Sequence, residues 1–94
     1  MRTIERTTAF RRDYKRVKKG LHGRGLDELL ESVVWSLAND AVLAEALRDH
    51  ALSGPWVDHR DCHVKPDLVL IYRKPDKNTL QLVHLGSHHE LFGK

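Results

Sequence analysis

The spacing of apolar residues changes once along this chain, and that change restricts the possible folds more than any other feature. Up to residue 38 the large apolar side chains recur at helical spacing, as in the stripe formed by Phe10, Tyr14, Val17 and Leu21. From Gly54 to Leu85 apolar and polar residues alternate, which is the two-residue period of strands. The sequence therefore predicts helices followed by a sheet, which is the α+β class of fold.

The predicted elements follow the order β-α-α-β-β-β. They are a short strand over 2–6, a helix capped by Thr7 or Thr8, a second helix over 26–38, and strands over 56–64, 68–73 and 79–85. Residues 41–49 and the tail 88–92 add one or two helical turns. A chain of 94 residues is short enough to form one domain, over 1–94. Because a short Gly-rich turn joins the two helices, we expect an antiparallel sheet packed against a helical hairpin.

Charge is segregated along the chain although the net charge is only +3. Residues 1–20 carry eight basic and two acidic side chains, whereas residues 21–50 carry two basic and six acidic ones. This distribution suggests a polyanion held by the first helix, and a solvated helix face is the alternative interpretation. The basic residues of that helix are Arg11, Arg12, Lys15, Arg16, Lys18 and Lys19.

Cysteine count and hydropathy exclude several classes of protein. Cys62 is the only cysteine, so an internal disulfide and a CxxC zinc site are excluded, and we expect a core position for its side chain. No apolar run approaches the ~20 residues that a membrane-spanning helix needs. The first ten residues lack the apolar segment of a secretory signal. We therefore expect a cytoplasmic protein with no membrane partner.

Histidine is abundant, and six of the seven histidines lie at or beyond His50. Alternation over 56–64 places His59, Asp61 and His63 on one face of a strand. Imidazole can act as a base or an acid near neutral pH, and a neighbouring carboxylate can hold one tautomer. Metal binding and plain surface polarity are alternative interpretations, and these residues alone do not decide among the three.

A resemblance to a known family rests on two segments of the C-terminal half. DHALSGPWVDHRDCHVKPDLVLIY over 49–72 and GSHHELFG over 86–93 resemble the YafQ-type toxins of the RelE/ParE superfamily. The resemblance implies a RelE-like fold and the toxin of a type II toxin–antitoxin pair. It also implies a ribosome-dependent endoribonuclease that cuts mRNA in the A site without a metal or other cofactor, through attack of the 2′-hydroxyl on the adjacent phosphate.

The resemblance also assigns roles to individual residues. The catalytic positions are His50, His63, Asp67 and His88. His88 is the general acid, His63 or His50 is the base, and Asp67 orients or polarises a histidine. Binding or positioning of RNA is assigned to Asp61, His84, Phe92, Arg60, Lys65 and the basic residues of the first helix. Phe92 either stacks on a base or closes the core, whereas Trp56 and Tyr72 are expected in the core.

Two departures from the family pattern concern binding of the phosphate and of RNA. His84 stands where the family usually has an arginine, and an imidazole carries charge only at lower pH than a guanidinium does. Lys65, Arg60 or Arg73 could supply the cation instead. Leu68 replaces an aromatic residue, which removes one stacking contact with RNA. Both departures bear on catalytic rate and codon preference rather than on the fold.

The resemblance further implies the partners. They are a cognate antitoxin, ribosomal RNA bound by the basic helix, and mRNA, with one copy of the toxin in a hetero-oligomeric complex. A non-catalytic module that binds antitoxin or ribosomal RNA is the alternative function. A relative that acts on DNA gyrase is a third possibility, and the histidine-rich face argues against it because such a binder needs no proton-transfer groups.

Overall fold

A computed structural model describes residues 1–93 of the chain and shows five strands and three helices there. The strands are β1 (Thr3–Arg6), β2 (His50–Ala51), β3 (Arg60–Lys65), β4 (Leu68–Arg73) and β5 (Thr79–Gly86). The helices are α1 (Thr8–Lys19), α2 (Leu26–Ala38) and α3 (His88–Phe92). Among these residues no helix is long and apolar enough to cross a membrane.

All five strands belong to one sheet with the order β1-β5-β4-β3-β2. Strands β2 to β5 pair antiparallel, whereas β1 lies at an edge and pairs parallel with β5. The predicted α+β class and the antiparallel meander are confirmed. The sheet as a whole is mixed, because the chain returns from β1 to β5 by way of two helices and three strands.

The core lies between the helices and one face of the sheet. Phe10 and Val17 of α1 and Leu26 and Leu37 of α2 are buried there. The sheet contributes Cys62, Val64, Leu68, Leu70, Tyr72, Leu80, Leu82 and Leu85. The predictions that Cys62 and Tyr72 are core residues are confirmed, and burial raises the pKa of the Cys62 thiol to about 12, which leaves it unreactive.

Two local predictions from the sequence are wrong, and one short strand was missed. Residues Gly54–Trp56 form a single 3₁₀ turn and Asp58 has a φ of 72°, so the strand predicted over 56–64 begins only at Arg60. Leu21 is 93% exposed, because α1 ends at Lys19 before its apolar stripe reaches that residue. The two-residue strand β2 was not predicted at all, because two residues carry no period.

Candidate active site

The face of the sheet opposite the core carries a row of residues that crosses four strands. His50 of β2 pairs with Asp61 of β3, Asp61 pairs with Ile71 of β4, and Ile71 pairs with His84 of β5. Residues directly opposite one another on adjacent strands project to the same face. The sheet therefore lines up two histidines and a carboxylate, with Ile71 between Asp61 and His84.

A bulge in β5 places His84 in this row. Tyr72 pairs with Leu82, but the next residue of β4, Ile71, pairs with His84, so β5 contains one extra residue there. Without the extra residue, alternation from Leu80 and Leu82 would turn His84 toward the core, and the bulge reverses the face. Leu82 and Leu85 both remain in the core, which only a bulge between them permits.

Helix α3 brings His88 to the same face. The helix begins immediately after β5, where Ser87 and Glu90 form a capping box with N–O distances of 3.1 and 2.9 Å. The ring centroids of His88 and His63 lie 5.0 Å apart, and Phe92, one turn later, lies 5.6 Å from His88. His63 and His88, which were predicted as a proton-transfer pair, are therefore neighbours.

The tautomers of His63 and His50 follow from their hydrogen bonds. His63 Nδ1 lies 3.2 Å from the Pro66 carbonyl oxygen, and His50 Nδ1 lies 2.8 Å from the Arg48 carbonyl oxygen. A carbonyl oxygen can only accept, so each Nδ1 carries a hydrogen and each Nε2 has a free lone pair in the neutral ring. Both rings therefore present the atom that a general base requires.

Asp61 lies beneath the histidines and is only 1% exposed. Its Oδ1 is 3.1 Å from His50 Nδ1, yet that N–H points to Arg48, and among residues 1–93 the Oδ1 atom accepts no hydrogen bond. Burial raises the pKa of Asp61, and the positive charges of His50, His63 and His88 lower it only in part. A buried carboxylate thus lies within electrostatic range of all three rings.

Trp56 lies at the edge of the site, so the prediction of a core position for it is wrong. Its half-buried ring makes edge-on contacts with His59, His84 and Phe92 at centroid distances of 5.4, 5.6 and 6.4 Å. His59 precedes β3 and packs on Trp56, so it does not join Asp61 and His63 on the strand face. Phe92 is half-buried between His88 and Trp56 and links the two halves of the site.

The remaining predicted residues of the C-terminal half form no side-chain hydrogen bond with this cluster within residues 1–93. Asp67 is exposed in the β3–β4 turn, where its carboxylate makes no hydrogen bond or ion pair within residues 1–93. Lys65 donates to the carbonyl oxygens of His22 and Arg24 at 3.0 and 2.8 Å. Arg60 pairs with Asp49 at 3.2 Å.

The basic residues of α1 divide into two groups. Arg16 bonds Asp13, Glu90 and the Leu85 carbonyl, and Lys18 pairs with Asp27. Four others are exposed and form no ion pair within residues 1–93, and these are Arg11, Arg12, Lys15 and Lys19. The uncommitted positive surface of α1 is therefore smaller than its composition suggests.

Asp13 is a site residue that the sequence analysis did not single out. It is 5% exposed, and its Oδ2 accepts from His84 Nδ1 at 2.7 Å. One sequence signal was present, because Asp13 falls on the apolar stripe between Phe10 and Val17. An acid on the buried side of an otherwise basic helix needs a partner.

Comparison with known proteins gives a consistent family. The model of the YafQ family, described as a bacterial toxin of type II toxin–antitoxin systems, matches residues 2–93. The mRNA interferase toxin YafQ of Escherichia coli K12 is 34% identical over 92 residues, which cover 98% of this chain and 97% of the relative. The chain belongs to the YafQ family of bacterial toxins of type II toxin–antitoxin systems, and the resemblance seen in the sequence is confirmed.

Solved structures agree with this membership. The toxin in the E. coli DinJ–YafQ toxin–antitoxin complex is 32% identical, with a TM-score of 0.83 and 98% of each chain covered. A metal-bound toxin from Helicobacter pylori is 48% identical, with a TM-score of 0.83, 98% of this chain covered and 100% of that one. Among residues 1–93 of this chain, no three His, Cys, Asp or Glu side chains are grouped to hold a metal ion.

Proposed function

We propose that this chain is an endoribonuclease toxin that cuts mRNA on the ribosome in the cytoplasm, with residues 1–94 acting as one domain. One observation carries the proposal. His63 and His88 face each other at 5.0 Å, and His50 and Asp61 lie on the same face of the sheet. Two imidazoles this close can act on the same ribose-phosphate unit, with one taking a proton while the other gives one.

The chemistry follows from the protonation of these rings. His63 Nε2, or His50 Nε2, accepts the proton of a ribose 2′-hydroxyl, and the resulting oxygen attacks the adjacent phosphorus. The bond from phosphorus to the 5′-oxygen of the next nucleotide breaks, and His88 donates the proton that this oxygen takes up. The products are a 2′,3′-cyclic phosphate and a 5′-hydroxyl, and no other reactant is needed. Asp67, exposed beside Pro66, contacts the substrate or orients a histidine when RNA is bound.

Programmed ribosomes provide the direct test. Purified protein is incubated with ribosomes that hold a defined mRNA, and the ends of the mRNA are mapped and tested for a cyclic phosphate. We expect cleavage with a 5′-hydroxyl end on the downstream fragment. Intact mRNA over a range of pH would contradict the nuclease proposal and favour a module that binds antitoxin or ribosomal RNA without cutting.

We further propose that the four exposed cations of α1 bind ribosomal RNA. Each phosphate neutralised contributes about −0.7 to −0.9 to the slope of log affinity against log salt concentration. Four contacts therefore predict a slope of about −3 for binding to ribosomes. Replacing Arg12 and Lys19 by glutamine should make the slope less steep by about 1.5, whereas Lys18→Gln, which removes a cation paired with Asp27, should change it less. An unchanged slope in the double variant would contradict this assignment.

An antitoxin is the expected protein partner, and we propose a groove on the other side of the sheet as its binding site. The groove has a volume of about 630 Å³ and lies between β1, α1 and α2. Its floor is apolar, with Phe10, Leu30 and Trp35. Its charged residues leave a small positive excess, since Arg6, Arg11 and Lys15 outnumber Asp27 and Glu31. Apolar side chains flanked by acidic ones on a partner segment would complement this surface.

Trp35→Ala should weaken antitoxin binding by about 30-fold or more, because an aromatic side chain in a groove is a typical hot spot. Trp35 is 60% exposed in the free protein and has apolar area to bury on binding. Calorimetric titration with the cognate antitoxin measures the effect. Leu29→Ala is the matched control, because Leu29 is also an exposed apolar residue of α2 but lies outside the groove. Equal affinities for the two variants would exclude the groove.

A further inference from the structure

Where the pairing of β1 with β5 ends, residues at the start of α1 and within it bond the edge of β5 instead. The pairing of β1 with β5 ends at Arg6 and Leu82, so the backbone groups of the next residues of β5 need other partners. Thr7 donates its hydroxyl to the Val83 carbonyl at 2.8 Å, and Asp13 accepts from the Leu85 amide at 3.1 Å. This docking carries the Asp13 carboxylate to the end of the His50–Asp61–Ile71–His84 row.

Asp13 fixes the tautomer and the direction of the His84 ring. Oδ2 of Asp13 accepts from His84 Nδ1 at 2.7 Å, and Oδ1 accepts from Arg16 at 2.9 Å. Since a carboxylate can only accept, Nδ1 of His84 carries a hydrogen. Nε2 lies on the far side of the ring, away from Asp13, and the Trp56 ring supports the imidazole edge-on at 5.6 Å.

Charged groups of α1 and α3 lie around the His84 ring. Asp13 and Arg16 of α1 face the ring, and Glu90 of α3 pairs with Arg16 at 3.1 Å. The loop before β3 contributes the neutral Trp56, and Asp61 lies beyond Ile71 in the row. Asp13, Arg16 and Glu90 together carry a net charge of −1.

The ionised state of Asp13 is maintained by its partners. Burial alone would raise the pKa of Asp13, but hydrogen bonds from His84, the Leu85 amide and Arg16 hold it below its usual value. The other cations considered for the phosphate are already committed. Lys65 donates to two loop carbonyls, Arg60 pairs with Asp49, and Arg73 donates to Gln81 at 2.6 Å. His84, whose Nε2 is free, therefore remains as the candidate for the phosphate on the histidine face.

We infer that Asp13 is a positioning residue that holds His84 with Nε2 directed at the substrate phosphate, so that the ring, when it is protonated, binds the phosphate in place of an arginine. This inference rests on the proposed nuclease function, because it gives His84 a role at the cleaved phosphate. Unlike a guanidinium, an imidazolium loses its charge with rising pH. The pair therefore makes phosphate binding depend on pH in a way that an arginine would not.

The test is a double-variant cycle of cleavage rates on programmed ribosomes between about pH 6 and pH 8.5. Asp13→Asn should lower the rate by about 10- to 100-fold at the upper end of the range and less at the lower end, as losses of histidine-orienting partners do elsewhere. His84→Arg should raise the rate near pH 7.5. The variant with both changes should follow the pH profile of His84→Arg. Asp40→Asn, which removes an acid paired with Arg2 and Lys74, is the control.

The outcomes separate this inference from the nuclease proposal. If Asp13→Asn slows cleavage equally at every pH and in both backgrounds, Asp13 is merely structural and the inference is wrong. If the wild type does not cleave at all, the proposed function is wrong. A second measurement, which needs no cleavage, then still tests whether Asp13 positions His84 for phosphate binding. Inorganic phosphate should shift the His84 imidazole resonances of the wild type and leave those of Asp13→Asn nearly unchanged. Equal phosphate-induced shifts in the two proteins would overturn the inference.

Discussion

His88→Ala should abolish mRNA cleavage and growth inhibition while leaving the fold intact. A general acid contributes about 10²- to 10⁴-fold to rate, and no other described imidazole lies on α3 facing His63. The His88 side chain is half-buried and outside the core cluster, so its removal costs little packing. The measurement is the single-turnover cleavage rate on programmed ribosomes, with growth after induction as a second readout.

The adjacent histidine supplies the control for this prediction. His89→Ala removes an exposed imidazole from the same short helix, so it tests for any general effect of altering α3. It should cleave at the wild-type rate, and both variants should have the wild-type circular dichroism and antitoxin affinity. Retained toxicity in His88→Ala would exclude this residue as the acid.

The sequence was sufficient to predict the α+β class and the longer helices and strands. Helices α1 and α2 each bury one apolar stripe, and β5 alternates up to its bulge, so periodicity located these elements to within a residue or two. Strand β4 is buried on both faces, and turn-forming residues on either side of it marked its bounds. Periodicity placed the start of β3 wrongly, because the turn at Gly54–Trp56 and the left-handed Asp58 interrupt what looks like one alternating run. Local backbone conformation of this kind leaves almost no mark on hydropathy.

The site was predicted less completely than the fold, for a different physical reason. Sequence resemblance named the histidines, and the structure brings His50, His63 and His88 together around Asp61. It could not show that a bulge turns His84 onto the same face, because a bulge is defined by pairing with another strand. It also could not show the contact of Asp13 with His84, since that contact joins residues far apart in the chain.

The assignment of the base can be decided with two substitutions at His63. His63→Asn keeps a side-chain N–H that can reach the Pro66 carbonyl, so the β3–β4 turn should stay ordered, but an amide cannot take up a proton at neutral pH. We expect both His63→Asn and His63→Ala to lose about 10²- to 10⁴-fold in cleavage rate with melting temperatures near that of the wild type.

Added imidazole should distinguish proton transfer from positioning at this residue. In His63→Ala the space left by the ring can admit a free imidazole, which should restore part of the cleavage rate in proportion to its concentration. In His63→Asn that space is partly filled, so the recovery should be smaller. His50→Ala serves as the comparison, because it removes the other candidate base while leaving His63 and its bond to Pro66 in place. If His50→Ala loses more activity than His63→Ala and is the variant that imidazole restores, His50 is the base and His63 positions the RNA.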